Sequence, residues 1–302
     1  MNSKKNTRQE AFFIMGFLFT LIVGFGTFLW GFQTGMEKIE AKYAYLKVVP
    51  PGQETAVSYQ QQDLVSFYYV VFQPYQQFKE AYLSRLELLE QDATSSESSA
   101  YLKEIREIAD RGYEQIAAQY ITDSSPLLKE AQTDYMKSLK LFNQGAGAVK
   151  HKKGAALAAA LKQNEFTVEA VNFGLEAQNK FYSSILKWTA KTNSRIPATF
   201  DYKANIPVQE WSKYPLAVKN KAVADMMQSE KRYEAYLPQD MTAKIDQMIK
   251  SGRAKALNLK TVSSIVKIVT ETEAVKGDEF SRFKSSYYAS ELLPELPIFM
   301  EY

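Results

Sequence analysis

The chain has 302 residues, of which 46% are hydrophobic and 24% are charged, and its formal net charge is +3. These values are typical of globular proteins and exclude collagen-like, low-complexity and wholly disordered chains. Cysteine is absent and His151 is the only histidine, which excludes a disulfide framework, a cysteine-based zinc site and a histidine-centred catalytic triad within this chain. We therefore expect a protein that is not an enzyme and holds no cofactor.

The first predicted element is a membrane-spanning helix. Ala11–Phe32 contains 22 residues without a charge or a proline, and a helix of that length spans about 33 Å, enough for a hydrocarbon core of about 30 Å. A buried core helix and a cleavable signal peptide are the alternatives. Signal sequences, however, have shorter apolar regions, of about 7–15 residues, followed by a small-residue cleavage site that this chain lacks. We predict a retained signal anchor.

The charges beside this segment predict its orientation. Residues 1–10 carry a net charge of +2, and an excess of Lys and Arg marks the cytoplasmic side of a membrane. Residues 1–10 are then a cytoplasmic tail, and the chain from residue 33 onwards lies outside. A large exported domain without cysteine, with 29 Lys and 8 Arg, indicates a single-pass protein of a bacterial cell membrane, most simply in a Gram-positive bacterium.

Small residues recur along the predicted membrane helix at a spacing of four. They allow helix backbones to approach closely in lipid, so the pattern favours a homodimer or a lateral contact with another membrane protein. The alternative is the ordinary abundance of glycine in membrane helices. The two series are Gly16, Thr20 and Gly24, and then Thr27, Gly31 and Gly35.

The rest of the chain predicts an all-α fold. After a membrane-proximal linker over 33–62, we expect an antiparallel helical bundle over 63–195 and a smaller C-terminal helical domain over 196–302. Three prolines between residues 196 and 215 mark the boundary. Apolar residues at three- and four-residue steps predict the bundle helices, which cover 63–90, 100–120, 126–143 and 155–191.

Local signals refine these helices. Pro74 is expected to kink or split the first, Ser125 to cap the third, and Gly145 to end it. A break near Asn164 is expected in the fourth. The predicted C-terminal helices cover 216–236, 240–251, 261–274 and 279–293.

Two C-terminal segments leave alternatives open. Residues 261–275 are rich in β-branched side chains, so a strand competes with the predicted helix. Leu292–Tyr302 is apolar and contains two prolines. It either packs onto the last domain as a strap or docks into another protein.

Charge is unevenly distributed along the chain. Residues 126–260 carry 22 basic and 12 acidic side chains, whereas the segments on either side, 33–125 and 261–302, are net acidic. The densest basic cluster, Lys150, Lys152 and Lys153, could contact an anionic surface. The alternative is that the basic segment folds against the acidic ones. Nucleic acid is an unsuitable partner because arginine is scarce and the domain is predicted to lie outside the cell.

Together these patterns predict a single-pass membrane protein whose helical domain binds or organises other proteins of a bacterial envelope. The alternative is a binding module for an anionic wall polymer or membrane lipid, acting through the basic middle segment.

Overall fold

The computed structural model describes residues 57–91 and 93–300. Across these residues every regular element is a helix, with one isolated β-bridge between Pro207 and Thr261, so the predicted all-α class is confirmed. No helix of this described part is both long and apolar enough to cross a membrane. The predicted anchor Ala11–Phe32 lies outside the described residues, as do the small residues Gly16, Thr20, Gly24, Thr27, Gly31 and Gly35.

The first half of the described chain forms a helical bundle in which α4 packs against both α3 and α6. The helices are α1 (Gln61–Phe67), α2 (Gln73–Glu90), α3 (Ser95–Ala117), α4 (Pro126–Ala148), α5 (Gly154–Gln163) and α6 (Glu165–Thr192). The second half consists of shorter helices. These are α7 (Val208–Trp211), α8 (Leu216–Ser229), α9 (Pro238–Lys250), α10 (Arg253–Ala256), α11 (Val262–Glu271) and α12 (Glu279–Tyr287), followed by a 3₁₀ turn at Pro297–Phe299.

Helices α1 and α2 are joined without a break by a π-helical turn, Tyr68–Phe72. The backbone N–H of Gln73 donates to the carbonyl of Tyr68, five residues earlier, which is the wider π spacing. Pro74 follows directly in the first turn of α2. The predicted irregularity near Pro74 is therefore present, and it takes the form of one wide turn.

Two predicted helix ends were wrong, one because of a local cap and the other because of packing between two helices. Helix α3 begins at Ser95, five residues earlier than predicted, because Thr94 and Glu97 form a reciprocal capping box. Helix α4 continues through Gly145 to Ala148. A side chain at Gly145 would collide with the hydroxyl of Thr167 on α6, so this glycine permits close helix packing instead of ending the helix.

Ser125 precedes α4 but its side chain does not cap the helix. Its hydroxyl lies 3.0 Å from the carbonyl of Ser58 and 2.8 Å from Oδ2 of Asp63. The prediction of a capping serine was therefore wrong, and Ser125 instead ties the start of α4 to the start of α1.

Of the remaining predicted features, two are confirmed, and two helices are shorter than predicted. The break at Asn164 is confirmed, because Asn164 ends α5 and its side chain caps α6. Residues 262–271 form a helix, because Val262, Ile265, Val266 and Val269 are buried along one face. Helices α8 and α12 end at Ser229 and Tyr287, earlier than predicted.

The described residues, 57–91 and 93–300, belong to one compact unit. The largest core cluster joins the aromatic stripe of the bundle to Leu216, Phe280 and Phe299, so the core is continuous across the boundary predicted at residue 196. A second cluster lies among α8, α9 and α11. The C-terminal segment packs as a strap within the described residues, because Leu296 and Phe299 are buried in the main core.

Candidate functional site

The basic cluster predicted from the sequence lies in the connector between α4 and α5. Lys150, Lys152 and Lys153 are exposed, and none forms an ion pair with any described residue. Lys150 lines a shallow cleft of about 340 Å³ beside α3. The structure therefore leaves these three cations accessible, and Lys150 also lines this cleft.

That shallow cleft is mixed in charge. Lys103 and Arg106 contribute cations, while Glu107 and Asp110 contribute carboxylates, and the Lys103 ammonium lies 3.6 Å from the Glu107 carboxylate. Opposite charges on the same wall reduce the attraction for a single anionic ligand.

Elsewhere the basic middle segment does pair with its acidic neighbours. Lys129 contacts Asp123 at 2.6 Å, Lys162 contacts Glu90 at 2.5 Å, and Lys244 contacts Glu279 at 2.8 Å. Part of the positive charge is therefore neutralised within the chain, while the lysines of the connector stay exposed.

A second cleft, of about 360 Å³, lies between α2 and the start of α9 and was not predicted from the sequence. The π-helical turn supplies part of its wall through Tyr68 and Phe72, and Ile298 from the C-terminal strap closes another side. Two buried ionisable residues, Lys79 and Asp240, line the same cleft. This combination makes it the candidate functional site.

Lys79 is a buried cation without an anionic contact. It is only 2% exposed, and within the described residues its ammonium forms no hydrogen bond or ion pair. Its Nζ lies 5.2 Å from the centre of the Tyr233 ring, a cation–π contact. Burial lowers the pKa of Lys79 to about 8, although Glu234 and Asp240 oppose the shift. At neutral pH the ammonium form still predominates.

A chain of hydroxyl groups holds the Tyr233 ring in place. Tyr233 and Tyr75 have their hydroxyl oxygens 2.9 Å apart, and the Tyr75 oxygen lies 2.8 Å from the Ser138 hydroxyl. Ser138 donates its one proton to the carbonyl of Ala170, so Tyr75 donates to Ser138 and accepts from Tyr233. The wall behind Lys79 is thus fixed by bonds to α4 and α6.

Asp240 is held by backbone groups from two elements. Its Oδ2 accepts from the N–H of Leu237 at 3.0 Å, and its Oδ1 accepts from the N–H of Phe280 at 3.1 Å. Burial raises the pKa of Asp240 to about 7, with smaller contributions from the charges of Asp278 and Glu279. The carboxyl group is therefore fixed in position, and it binds a proton more readily than an ordinary aspartate does.

No family model, curated protein or solved structure matches this chain. Among the described residues, no group of three or more His, Asp or Glu side chains is arranged to bind a metal ion.

A second buried carboxylate, Asp246, has a full set of partners. It accepts from the Lys219 ammonium at 2.9 Å, the Trp211 indole at 2.8 Å and the Tyr288 hydroxyl at 2.8 Å. These bonds join α7, α8, α9 and the end of α12. Asp246 therefore links these helices to one another. Lys79, in contrast, has no carboxylate within ion-pair distance in the described chain.

The sequence did contain a signal for Lys79. The residue falls within the apolar stripe of the first bundle helix, four positions after Tyr75 and three before Tyr82. A lysine within an apolar stripe points its ammonium towards the core, which is rare unless the charge has a partner or a function. Nothing comparable marks Asp240, whose burial depends on packing against a segment 40 residues away.

Proposed function

We propose that this chain is a membrane-anchored helical protein of a bacterial envelope that acts by binding and not by catalysis. The observation that carries the proposal is the uncharged segment Ala11–Phe32, with a net charge of +2 before it, followed in sequence by the compact helical unit of the described residues. Such a segment favours retention in the lipid, and the charge asymmetry favours export of the helical unit.

Two pairs of buried charges are used within the fold. Those of Asp246 and Lys219, and of Lys244 and Glu279, join helices to each other, which is a structural use of ionisable groups. The interaction partners that we propose are other envelope proteins, with the membrane helix as a second contact, either with a copy of itself or with a lateral partner.

Topology in living cells tests the proposal. An alkaline phosphatase fusion at residue 302 should be active, because the enzyme folds only outside the cytoplasm, and the full chain should sediment with membranes and resist extraction by carbonate. An inactive fusion, or a mature product free in the culture fluid, would contradict it. Crosslinking in living cells followed by mass spectrometry should then recover envelope proteins, whereas recovery of only cytosolic proteins would count against it.

A second candidate function is the binding of an anionic wall polymer or lipid. It is favoured by the exposure of Lys150, Lys152 and Lys153 without ion-pair partners in the described chain. Replacing all three with Gln should weaken co-sedimentation with cell walls or anionic vesicles, and added salt should weaken it in the unmodified protein.

A matched control separates local binding from net charge. Replacing Lys129, Lys162 and Lys203 with Gln removes the same charge from lysines that already contact carboxylates. Equal loss of co-sedimentation in both triple variants would show that net charge, and not the connector, causes the binding.

A further inference from the structure

We infer that the cleft between α2 and α9 binds a small organic monoanion, a carboxylic acid with an apolar body, whose carboxylate contacts Lys79. This inference goes beyond the proposed envelope role and does not require the chain to be anchored. It depends on the chemistry of the cleft alone.

The first step is the unmet charge of Lys79. An ammonium group on a residue that is 98% buried needs an anion or several hydrogen-bond acceptors to offset its desolvation. The described residues supply only the Tyr233 ring, at 5.2 Å, as a direct contact, and the charges of Glu234 and Asp240 act from beyond ion-pair distance. The contrast with Lys219 is direct, because Lys219 is also buried, at 8% exposed, and its ammonium contacts both oxygens of Asp246. The anion that Lys79 lacks within the described chain can be supplied by a ligand in the cleft.

The second step is that Asp240 is not free to supply that anion. Its two oxygens accept from the backbone N–H groups of Leu237 and Phe280, and it forms no ion pair with any described lysine. Because these bonds fix the carboxyl group, Asp240 lines the cleft without closing it. In its protonated form it can also donate a hydrogen bond to a ligand carboxylate.

The third step is the charge and polarity of the cleft. Among the described residues that line the cleft, Lys79 is the one cation, while Glu80 and Asp240 are acidic. The net charge of the cleft therefore repels a dianion such as phosphate, and a monoanion is favoured only through direct contact with the Lys79 ammonium. Tyr68, Phe72 and Ile298 provide an apolar wall. The cleft volume of about 360 Å³ lies within the range of small-molecule sites.

Binding of 4-fluorobenzoate to the full-length protein in a non-ionic detergent tests the inference, with the fluorine resonance as the readout. We expect saturable binding, and at least tenfold weaker binding of the neutral 4-fluorobenzamide. Lys79→Met should weaken benzoate binding at least tenfold. Lys187→Met is the matched control, because Lys187 also lies against a tyrosine ring, that of Tyr59, but outside the cleft. The Lys187→Met variant should bind 4-fluorobenzoate as the unmodified protein does.

A second variant keeps the test valid if Lys79→Met does not fold. Ala235 lines the cleft but is exposed, so Ala235→Trp narrows the cleft without entering the core and should also weaken binding. Absence of benzoate binding, equal binding of the benzamide, or unchanged binding in the Ala235→Trp variant would overturn the inference. These results leave the phosphatase-fusion test unaffected, so the two proposals fail independently.

Discussion

The hydroxyl group of Tyr75 on α2 occupies the space that a side chain at position 174 on α6 would fill. Any Cβ at Gly174 would overlap the Tyr75 oxygen and lie 3.2 Å from the Ser138 hydroxyl. Gly174 therefore makes room for the hydroxyl chain that fixes the Tyr233 ring beside Lys79.

Replacing Gly174 with Ala should destabilise the protein. Overpacking of a buried site costs about 1–3 kcal/mol, and here it also displaces a hydrogen-bonded hydroxyl. Denaturant unfolding measures the change. Gly147→Ala is the control, because Gly147 lies in α4 with no atom near the added methyl group, and alanine in a helix should stabilise it by about 0.5–1 kcal/mol. Equal effects of the two substitutions would contradict this packing.

Removing Asp246 should strongly destabilise the C-terminal half. Asp246→Ala leaves the Lys219 ammonium buried without a counterion, and the loss of one partner of a buried ion pair costs about 3–5 kcal/mol. The comparison is Glu107→Ala, since Glu107 contacts Lys103 on the exposed surface of α3 and should cost less than about 1 kcal/mol. A small loss of stability in the Asp246→Ala variant, measured by thermal unfolding, would show that water can reach the Lys219 ammonium.

The raised pKa of Asp240 should make stability fall as pH rises. Its folded pKa is about 7 against an ordinary value of 3.8, so between about pH 4 and 7 the folded protein binds a proton that the unfolded chain has released. Its contribution to stability is therefore full below pH 4 and lost as pH rises towards 7. Asp278, Glu279 and Lys79 are the charged groups that interact with it.

The free energy of unfolding of the Asp240→Asn variant, relative to the unmodified protein, should therefore increase from pH 4.5 to pH 7.5, by at most about 4 kcal/mol. Asp201→Asn, at an exposed position, should show no such trend. A relative stability of Asp240→Asn that does not change with pH would contradict the raised pKa.

The C-terminal strap should contribute several kcal/mol through one side chain. Phe299 is 2% exposed, and its ring lies 5.5 Å from that of Phe280. Truncating a buried phenylalanine to alanine costs about 3–5 kcal/mol. The neighbouring Met300 is exposed, so Met300→Ala should change stability by less than about 0.5 kcal/mol. Similar melting temperatures for the two variants would show that the strap does not hold the domain.

Sequence periodicity was sufficient to predict the helical class and the position of most helices, because a face that must be buried repeats every three to four residues. The exact helix boundaries were harder to predict. The capping box of Thr94 and Glu97 is present in the sequence, but the serines around it also fit a polar connector. Gly145 resembled a helix stop, because its packing partner, Thr167, lies on another helix and is not evident from the local sequence.

The candidate site was predictable only in part. The position of Lys79 within an apolar stripe is a local signal. Its neighbours are not local, since Tyr233 lies 154 residues further along the chain and Asp240 reaches the cleft through the packing of α9 against α12. Periodicity indicates which face of a helix is buried but does not identify what it is buried against.

The wide turn at Tyr68–Phe72 has a consequence for aligning this helix with any other. A π turn takes up one residue more than regular α-helix would need, while the segments before and after it keep their facing. A homologous chain with an unbroken α-helix here would be one residue shorter between positions 68 and 72. Its counterpart of Lys79 would be found only after a single gap is placed in that interval.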